Sequence, residues 1–181
     1  ASMIAGEMET GSWNLLRVTP MGPGKILRGK LISVVLTLAL LLCATLPGYA
    51  VIMLIQPNLQ AQVQQVIVCL ILAALLSMLI SATVSSFFRS TAVATTVAYG
   101  ILISLFAGTM LVWVNLDAPF GHSLVERTLQ FNPLAAALRA IEADGFQNFN
   151  LIPSAWWISS ILCGLLLIVL YFRVRRLSQP D

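Results

Sequence analysis

Four long apolar runs, separated by polar connections, dominate the hydrophobic pattern of this chain. They cover about residues 31–55, 66–88, 92–114 and 155–172, and none contains Asp, Glu, Lys, Arg or His. About 20 helical residues cross the hydrocarbon core of a bilayer, and a run of this length must satisfy its backbone hydrogen bonds internally. A β-barrel would instead show alternating polarity over about ten residues per strand. The pattern therefore predicts an all-α membrane protein, a polytopic helical bundle with four transmembrane helices.

Composition excludes a water-soluble globule. Apolar residues make up 59% of the chain and charged residues only 9%, whereas soluble domains contain about 45–50% apolar and about 25% charged residues. The three cysteines, Cys43, Cys69 and Cys163, all lie inside the predicted spans. We therefore expect them to behave as small apolar residues and to form no disulfide.

The basic residues predict the orientation of the spans. Eight of the ten lie on one side: Arg17, Lys25, Arg28, Lys30, Arg89, Arg173, Arg175 and Arg176. Only Arg127 and Arg139 lie on the other side. Because basic residues concentrate in cytoplasmic connections, both ends of the chain are predicted to be cytoplasmic. A second interpretation of Arg173–Arg176, a lipid-binding patch, stays open.

The outer connection, residues 115–153, is too long for a structureless loop in a compact protein. Ser123–Glu126 has the capping-box pattern of a helix start. A second helix is predicted to begin at Asn132-Pro133 and to stop at Gly145. Its predicted apolar face consists of Leu134, Leu138 and Ile141. We expect two short outer helices, which either stay at the surface or enter the membrane.

Small residues recur every four positions in two neighbouring spans. The third span carries Ala92, Thr96, Gly100, Ser104 and Gly108, and the second carries Ala73, Ser77, Ser81 and Ser85. Small residues allow membrane helices to approach closely, and rows at this spacing follow one helix face. We expect helix packing at Gly100, Ser104, Gly108, Ser77 and Ser81, either within the chain or between two copies.

The first 30 residues form a cytoplasmic segment ahead of the transmembrane domain at residues 31–181. Trp13 and Leu16 provide apolar anchors, and basic residues surround them. This mixture is typical of a short helix at the membrane surface, which rests on lipid or docks on a partner. Glu7 and Glu9 precede the anchors, where carboxylates favour contact with a protein over contact with an anionic leaflet.

Catalytic and metal-binding motifs are absent from the sequence. It contains no HExxH, GxSxG or CxxC pattern and no phosphate-binding glycine loop, and its one histidine, His122, has no cysteine near it. The spans also lack the ionisable residues that ion-coupled carriers and membrane proteases use. We therefore expect no enzyme activity and no cofactor. If the protein moves a substrate, its energy source is expected on another polypeptide.

The segment from Glu7 to Pro20 resembles the cytoplasmic signature of type-2 ATP-binding-cassette (ABC) permeases. In that family Glu-Arg-Glu, Gly-Thr, Leu-Leu and Thr-Pro precede a Gly-Lys-Leu that opens the next span. Here the order is EMETGSWNLLRVTP followed by Gly29-Lys30-Leu31. The later Phe131–Leu134 is similar to the Asn-Pro before the last outer helix of the family. Met8 and Ser12 depart from the usual Arg and Thr.

The resemblance implies a permease subunit of an ATP-driven exporter in the bacterial inner membrane, working by alternating access. A cytoplasmic coupling helix at Glu7–Arg17 would dock on a separate ABC ATPase subunit. The residues implied in that contact are Glu7, Glu9, Gly11, Trp13, Leu16, Arg17, Thr19 and Pro20.

The same resemblance implies a second permease subunit, as a homo- or heterodimer, and contact with membrane lipid. The family has six spans, and the chain opens on Ala1. We therefore expect two spans ahead of the four predicted here. The first of these two, and most of the second, would lie outside this sequence. The alternative is a non-transporting membrane scaffold or assembly factor, in which Glu7–Lys30 docks another cytosolic partner.

Overall fold

The computed structural model describes residues 6, 23–88, 90–114 and 121–178, and within these ranges it contains helices and turns but no strand. The long helices are α1 (Pro23–Ile55), α2 (Gln60–Phe87), α3 (Thr91–Ile103) and α7 (Ser154–Ser178). The short ones are α4 (Thr109–Val114), α5 (His122–Leu129) and α6 (Pro133–Ala140). A 3-10 turn at Pro57–Leu59 joins α1 to α2, and a π-helical segment at Ser104–Gly108 joins α3 to α4 without a break.

In the part of the chain that the structure describes, four helices are long and apolar enough to cross a membrane: Ile32–Ile55, Pro57–Phe87, Thr91–Val114 and Ser154–Arg176. They confirm the predicted all-α fold with four spans. The second span begins before the predicted Val66, because the polar but uncharged stretch from Gln60 to Gln65 is already helical. The predicted coupling segment before Pro23 lies outside the described residues.

Helix α2 is the centre of the bundle. It has its most extensive contacts with α7 and α6, then with α3. Leu76, Ile80 and Val84 of α2 form a buried cluster with Ala98 of α3. Half-buried residues of α7, Leu162 and Leu166, pack against this cluster. By contrast α1 contacts α2 and α7 along one side only, and most of its described side chains are exposed.

The polar ends of the bundle differ. We call the end that carries α5 and α6 the outer end, after the predicted orientation, and residues 121–153 the outer cap. A buried cluster joins this cap to the spans through Val125, Leu129, Ala135, Phe146, Phe149, Leu151, Cys69 and Ala155. The opposite, inner end is where α2 finishes at Phe87 and α7 passes Arg173.

The predicted capping box at Ser123 is wrong. The N-cap of helix α5 is two residues earlier, at Gly121, and it has no side-chain cap. Glu126 is not available for the box, because its Oε1 accepts a hydrogen bond from the backbone N–H of Asn150 at 3.1 Å. Glu126 thus makes a hydrogen bond to a residue 24 positions away in the chain and not the local bond that a capping box requires.

The second outer helix begins as predicted but ends earlier. Asn132 is the N-cap of α6, and its side chain accepts a hydrogen bond from the N–H of Leu134 at 2.9 Å. The helix stops at Ala140, so Gly145 is not its stop signal. The predicted apolar face is right only in part. Leu134 and Leu138 are half-buried, and Leu138 packs against the buried cluster, but Ile141 is exposed. The buried residues of the helix are Pro133, Ala135, Ala136 and Ala140. Small alanines permit the close approach of α6 to α2.

Candidate functional site: the third span and the outer cap

Most of the small-residue row of the third span is exposed, whereas Gly108, its last member, is half-buried. Ala92, Thr96, Gly100 and Ser104 are exposed, and a Cβ added at Gly100 would meet nothing within 4 Å. The buried positions of this helix are instead Ala94 and Ala98, which lie toward α2. The exposed face runs through the middle of a membrane span, where its surroundings are lipid or another protein.

The small-residue row of the second span has a different environment. Ser77 and Ser81 are half-buried and line a cavity of about 300 Å³ between α1 and α2, together with Val34 and Leu38. Ser77 Oγ donates a hydrogen bond to the carbonyl of Ala74 at 2.9 Å, so its hydroxyl stays satisfied within its own helix. The two rows line different cavities, and their predicted packing role stays a prediction.

A mostly apolar cavity of about 470 Å³ lies between the third span and the cap. Its lining consists of Gly100, Ile101, Ser104, Leu105, Thr109, Thr128 and Phe131. Three hydroxyl-bearing residues, Ser104, Thr109 and Thr128, are the polar members of this lining. Thr109 and Thr128 donate to backbone carbonyls of their own helical turns. The cavity can therefore accept an apolar group with few polar contacts.

Asn132 connects the cap to the π-helical segment. Its side chain is fully buried, and its Nδ2 donates hydrogen bonds to the carbonyl of Phe106 at 3.0 Å and to Thr109 Oγ1 at 2.8 Å. Thr109 Oγ1 in turn donates to the carbonyl of Leu105 at 2.8 Å. A π-helical turn shifts the backbone hydrogen bonds by one residue, so a carbonyl in this segment is accessible to a side chain from another element.

The sequence indicated only half of this arrangement. Asn before Pro predicted the helix cap, which uses Asn132 Oδ1. The donor half, Nδ2, has no local partner signal, because Phe106 and Thr109 are more than twenty positions away. The general rule that the oxygen and the nitrogen of a buried amide both need hydrogen-bond partners would have required such a partner. The rule does not say where in the chain that partner lies.

Aromatic stacking fixes the cap on the outer end of the third span. The Trp113 and Phe146 rings are stacked with centroids 4.7 Å apart, and Trp113 Nε1 donates to the carbonyl of Gly145 at 3.3 Å. Gly145 has a φ of 84°, and a Cβ at this position would lie 2.6 Å from the indole of Trp113. Glycine is required here both by the backbone conformation and by the close approach of the ring.

Two further contacts lie within the cap, and a third joins the second span to the last span. Arg139 Nε donates to the carbonyl of Phe149 at 3.0 Å, and the His122 ring is stacked on Phe149 with centroids 4.7 Å apart. At the start of α7, Trp156 Nε1 donates to Cys69 Sγ of α2 at 3.2 Å. The cap itself contacts the spans through Trp113 of the third span and through the buried cluster that contains Cys69 and Ala155.

Metal chemistry has no evident site in the part of the chain that the structure describes, where no three His, Cys, Asp or Glu residues are grouped to hold an ion. The eight residues predicted to contact an ATPase, Glu7, Glu9, Gly11, Trp13, Leu16, Arg17, Thr19 and Pro20, lie outside the described residues. Their role stays a prediction.

Comparison with known proteins agrees with the membrane architecture. A family model described as ABC-2 family transporter protein matches residues 1–181, the whole chain. The comparison with curated proteins returned no match, and neither did the comparison with solved structures.

Proposed function

This chain belongs to the ABC-2 family of transporter permeases, and we propose that it is the transport subunit of an ATP-driven exporter. The membrane subunits of this family generally work with an ABC ATPase. The chain is a multi-pass membrane permease subunit of an ABC transporter and is not itself catalytic. The proposal adds the direction of transport, the energy source and the partners. The observation that carries it is the family match over the whole chain.

The composition of the spans supports an external energy source. None of the four predicted spans contains Asp, Glu, Lys, Arg or His, so they lack the side chains that usually bind and release a coupling ion. A separate ATPase would supply the free energy by favouring one packing of the helices over another. The segment Glu7–Arg17 would transmit this preference to the spans, with Trp13 and Leu16 as apolar anchors on the ATPase.

The exposed face of the third span supports an interface with a second permease subunit. Gly100 and Ser104 offer no side-chain bulk that would keep another helix away. Between this face and the cap lies the cavity lined by Leu105 and Phe131. A partner helix on Gly100 and Ser104 would adjoin the cavity, so that it would open along the subunit interface.

The charge distribution supports the proposed orientation, with both ends of the chain in the cytoplasm of a bacterial cell whose inner membrane holds the protein. In the described residues the carboxylates Glu126, Glu142 and Asp144 all belong to the outer cap, whereas Arg173, Arg175 and Arg176 lie at the inner end. This asymmetry follows the positive-inside rule. Labelling of single cysteines introduced at Ser123 and Arg176 in intact cells tests the orientation. Reagents that do not cross the membrane should modify the first position only.

Co-purification tests the function itself. The permease, expressed with a candidate nucleotide-binding subunit from the same operon, should retain that subunit through detergent extraction and size-exclusion chromatography. A scaffold or assembly factor would instead be isolated without an ATPase, and that result would overturn the proposal.

A further inference from the structure

We propose that the inner end of the bundle contains a binding site for the phosphate of an anionic phospholipid, centred on Arg173 of α7 and Phe87 of α2. The site rests on the proposed function only for the orientation, which places this end at the cytoplasmic leaflet. Four features of the structure support it: a stacked arginine, an unsatisfied donor, the local charge and the surrounding aromatic side chains.

The guanidinium of Arg173 is held against an aromatic face. Its central carbon, Cζ, lies 4.9 Å from the centroid of the Phe87 ring. A cation at this distance is attracted by the ring quadrupole, and arginine prefers to stack in this way. This contact limits where the planar guanidinium fork lies before any ligand arrives. Such a planar fork matches the geometry of a phosphate.

One donor of this guanidinium has no acceptor in the described part of the chain. Arg173 Nε is buried, and no hydrogen-bond partner for it exists among the described residues. Buried polar groups in proteins are almost always paired, and an unpaired donor on a charged group is costly. An acceptor from outside the chain would remove that cost, and a phosphate oxygen is the natural candidate for a charged donor.

The surroundings favour an anion. Arg175 and Arg176 lie in the last turn of α7, close to Arg173 in the chain. The described carboxylates, Glu126, Glu142 and Asp144, are all in the outer cap, at the opposite end of the bundle. Helix α1 forms an antiparallel hairpin with α2 and therefore begins at this same end, with Lys25, Arg28 and Lys30 in its first turns. The positive charges at this end attract anions from the membrane surface.

The aromatic side chains indicate a lipid as the source of the phosphate. Phe87 is 52% exposed although it closes a membrane span, and Tyr171 and Phe172 of α7 are 52% and 57% exposed. The two rings of α7 are in edge contact, with centroids 6.0 Å apart. Exposed rings at the end of a span are typical of the lipid headgroup region. A phosphate bound at this depth has acyl chains beside it, which free phosphate lacks.

Binding measured on the purified, full-length permease in detergent tests this site. The probes are a phosphatidylglycerol, a phosphatidylcholine of the same chain length, and inorganic phosphate. The readouts are the thermal midpoint followed by tryptophan fluorescence and the displacement of a fluorescent phosphatidylglycerol. We expect phosphatidylglycerol to bind with preference and to raise the midpoint, while phosphatidylcholine and inorganic phosphate at equal concentration do not.

Two variants and one matched control identify the residues. Arg173→Gln should weaken phosphatidylglycerol binding about fivefold, the effect expected for one basic residue at a membrane surface. Phe87→Leu keeps every charge and should weaken binding by less, because it removes only the ring contact that limits where the guanidinium lies. Arg127→Gln removes the same charge from the exposed outer surface and should leave binding unchanged.

Three outcomes would overturn the site. They are an equal response to inorganic phosphate, equal losses in Arg173→Gln and Arg127→Gln, and no preference of the unmodified protein for phosphatidylglycerol. The last measurement needs no variant, so the test survives a variant that fails to fold. A lost lipid preference with the ATPase still bound counts against this site alone, whereas a preserved preference without any ATPase counts against the proposed function alone.

Discussion

The side-chain amide of Asn132 donates a hydrogen bond to the carbonyl of Phe106 at 3.0 Å, although the two residues are 26 positions apart in the chain. Phe106 lies in the π-helical segment of the third span, and Asn132 begins the second helix of the outer cap. The bond therefore links a widened turn inside the membrane to the structure that covers the outer end. Movement of the cap cannot be independent of this turn while the bond is intact.

Asn132→Ala should lower the free energy of unfolding by about 1–3 kcal/mol, because it removes a helix cap and leaves buried groups without partners. Asn132→Asp separates the two contributions. The carboxylate keeps the acceptor that caps α6 but presents an oxygen to the carbonyl of Phe106. We expect Asp to be at least as destabilising as Ala.

Thermal unfolding in detergent, followed by tryptophan fluorescence, measures both Asn132 variants. Asn150→Ala is the control in the same cap, since Asn150 uses its backbone N–H and not its side chain in the bond to Glu126. If Asn132→Asp proved as stable as the parent protein, Asn132 would be only a helix cap, and its bond to Phe106 would contribute nothing to the free energy of unfolding.

Gly145→Ala should destabilise the cap by about 1–3 kcal/mol, because the backbone has a positive φ of 84° and the new Cβ would meet the Trp113 indole at 2.6 Å. Limited proteolysis of the cap and the Trp113 emission spectrum report the change. Gly121→Ala is the control, since Gly121 has a φ of −79° and open space around it. Equal proteolysis of the two variants would contradict the predicted clash.

A cysteine at Ser104 should form a disulfide between two permease copies in the membrane, because this position is exposed on the face proposed as the subunit interface. The experiment uses a background in which exposed Cys43 is replaced and the less accessible Cys69 and Cys163 remain. Ser77→Cys is the matched control, since Ser77 is half-buried in the cavity beside α1. Cross-linking at position 77 but not at 104 would place the interface elsewhere. A heterodimer would require the second cysteine on the other subunit.

Charge reversal at Glu7 and Glu9 should uncouple ATP hydrolysis from transport and leave membrane insertion intact. These carboxylates are proposed to make polar contacts with the ATPase, and reversal turns an attraction into a repulsion. Reversal of Glu142 and Asp144 in the outer cap is the control, since it changes the net charge equally at the opposite end. Unchanged transport after reversal of Glu7 and Glu9 would refute the coupling assignment.

The spans were predictable because a single physical requirement determines them. A helix in lipid needs about 20 residues without charge, and runs of that length are visible in the sequence without any knowledge of tertiary contacts. The start of the second span was placed too late, since the stretch from Gln60 to Gln65 is polar enough to appear as a connection yet continues the helix. Its glutamines are good helix formers and carry no charge.

The cap was predictable only in part, because long-range contacts decide its details. Glu126 bonds Asn150 instead of closing a capping box, and Gly145 accommodates Trp113 instead of ending α6. The buried face of α6 consists of small alanines, which a search for large apolar residues overlooks. Small alanines also form the buried face of the third span, where Ala94 and Ala98 are buried while Gly100 of the small-residue row is exposed.

ATP hydrolysis by the assembled transporter tests the central claim most directly. The full-length permease, its candidate nucleotide-binding subunit and their purified complex are compared in lipid vesicles. The account predicts no hydrolysis by the permease alone. In the complex, the rate of hydrolysis should differ from that of the isolated ATPase. It should return to the rate of the isolated ATPase when Glu7 and Glu9 are both replaced by lysine. Either of two results would contradict the account. One is hydrolysis by the permease alone. The other is a complex that hydrolyses ATP at the rate of the isolated ATPase, with or without the two replacements.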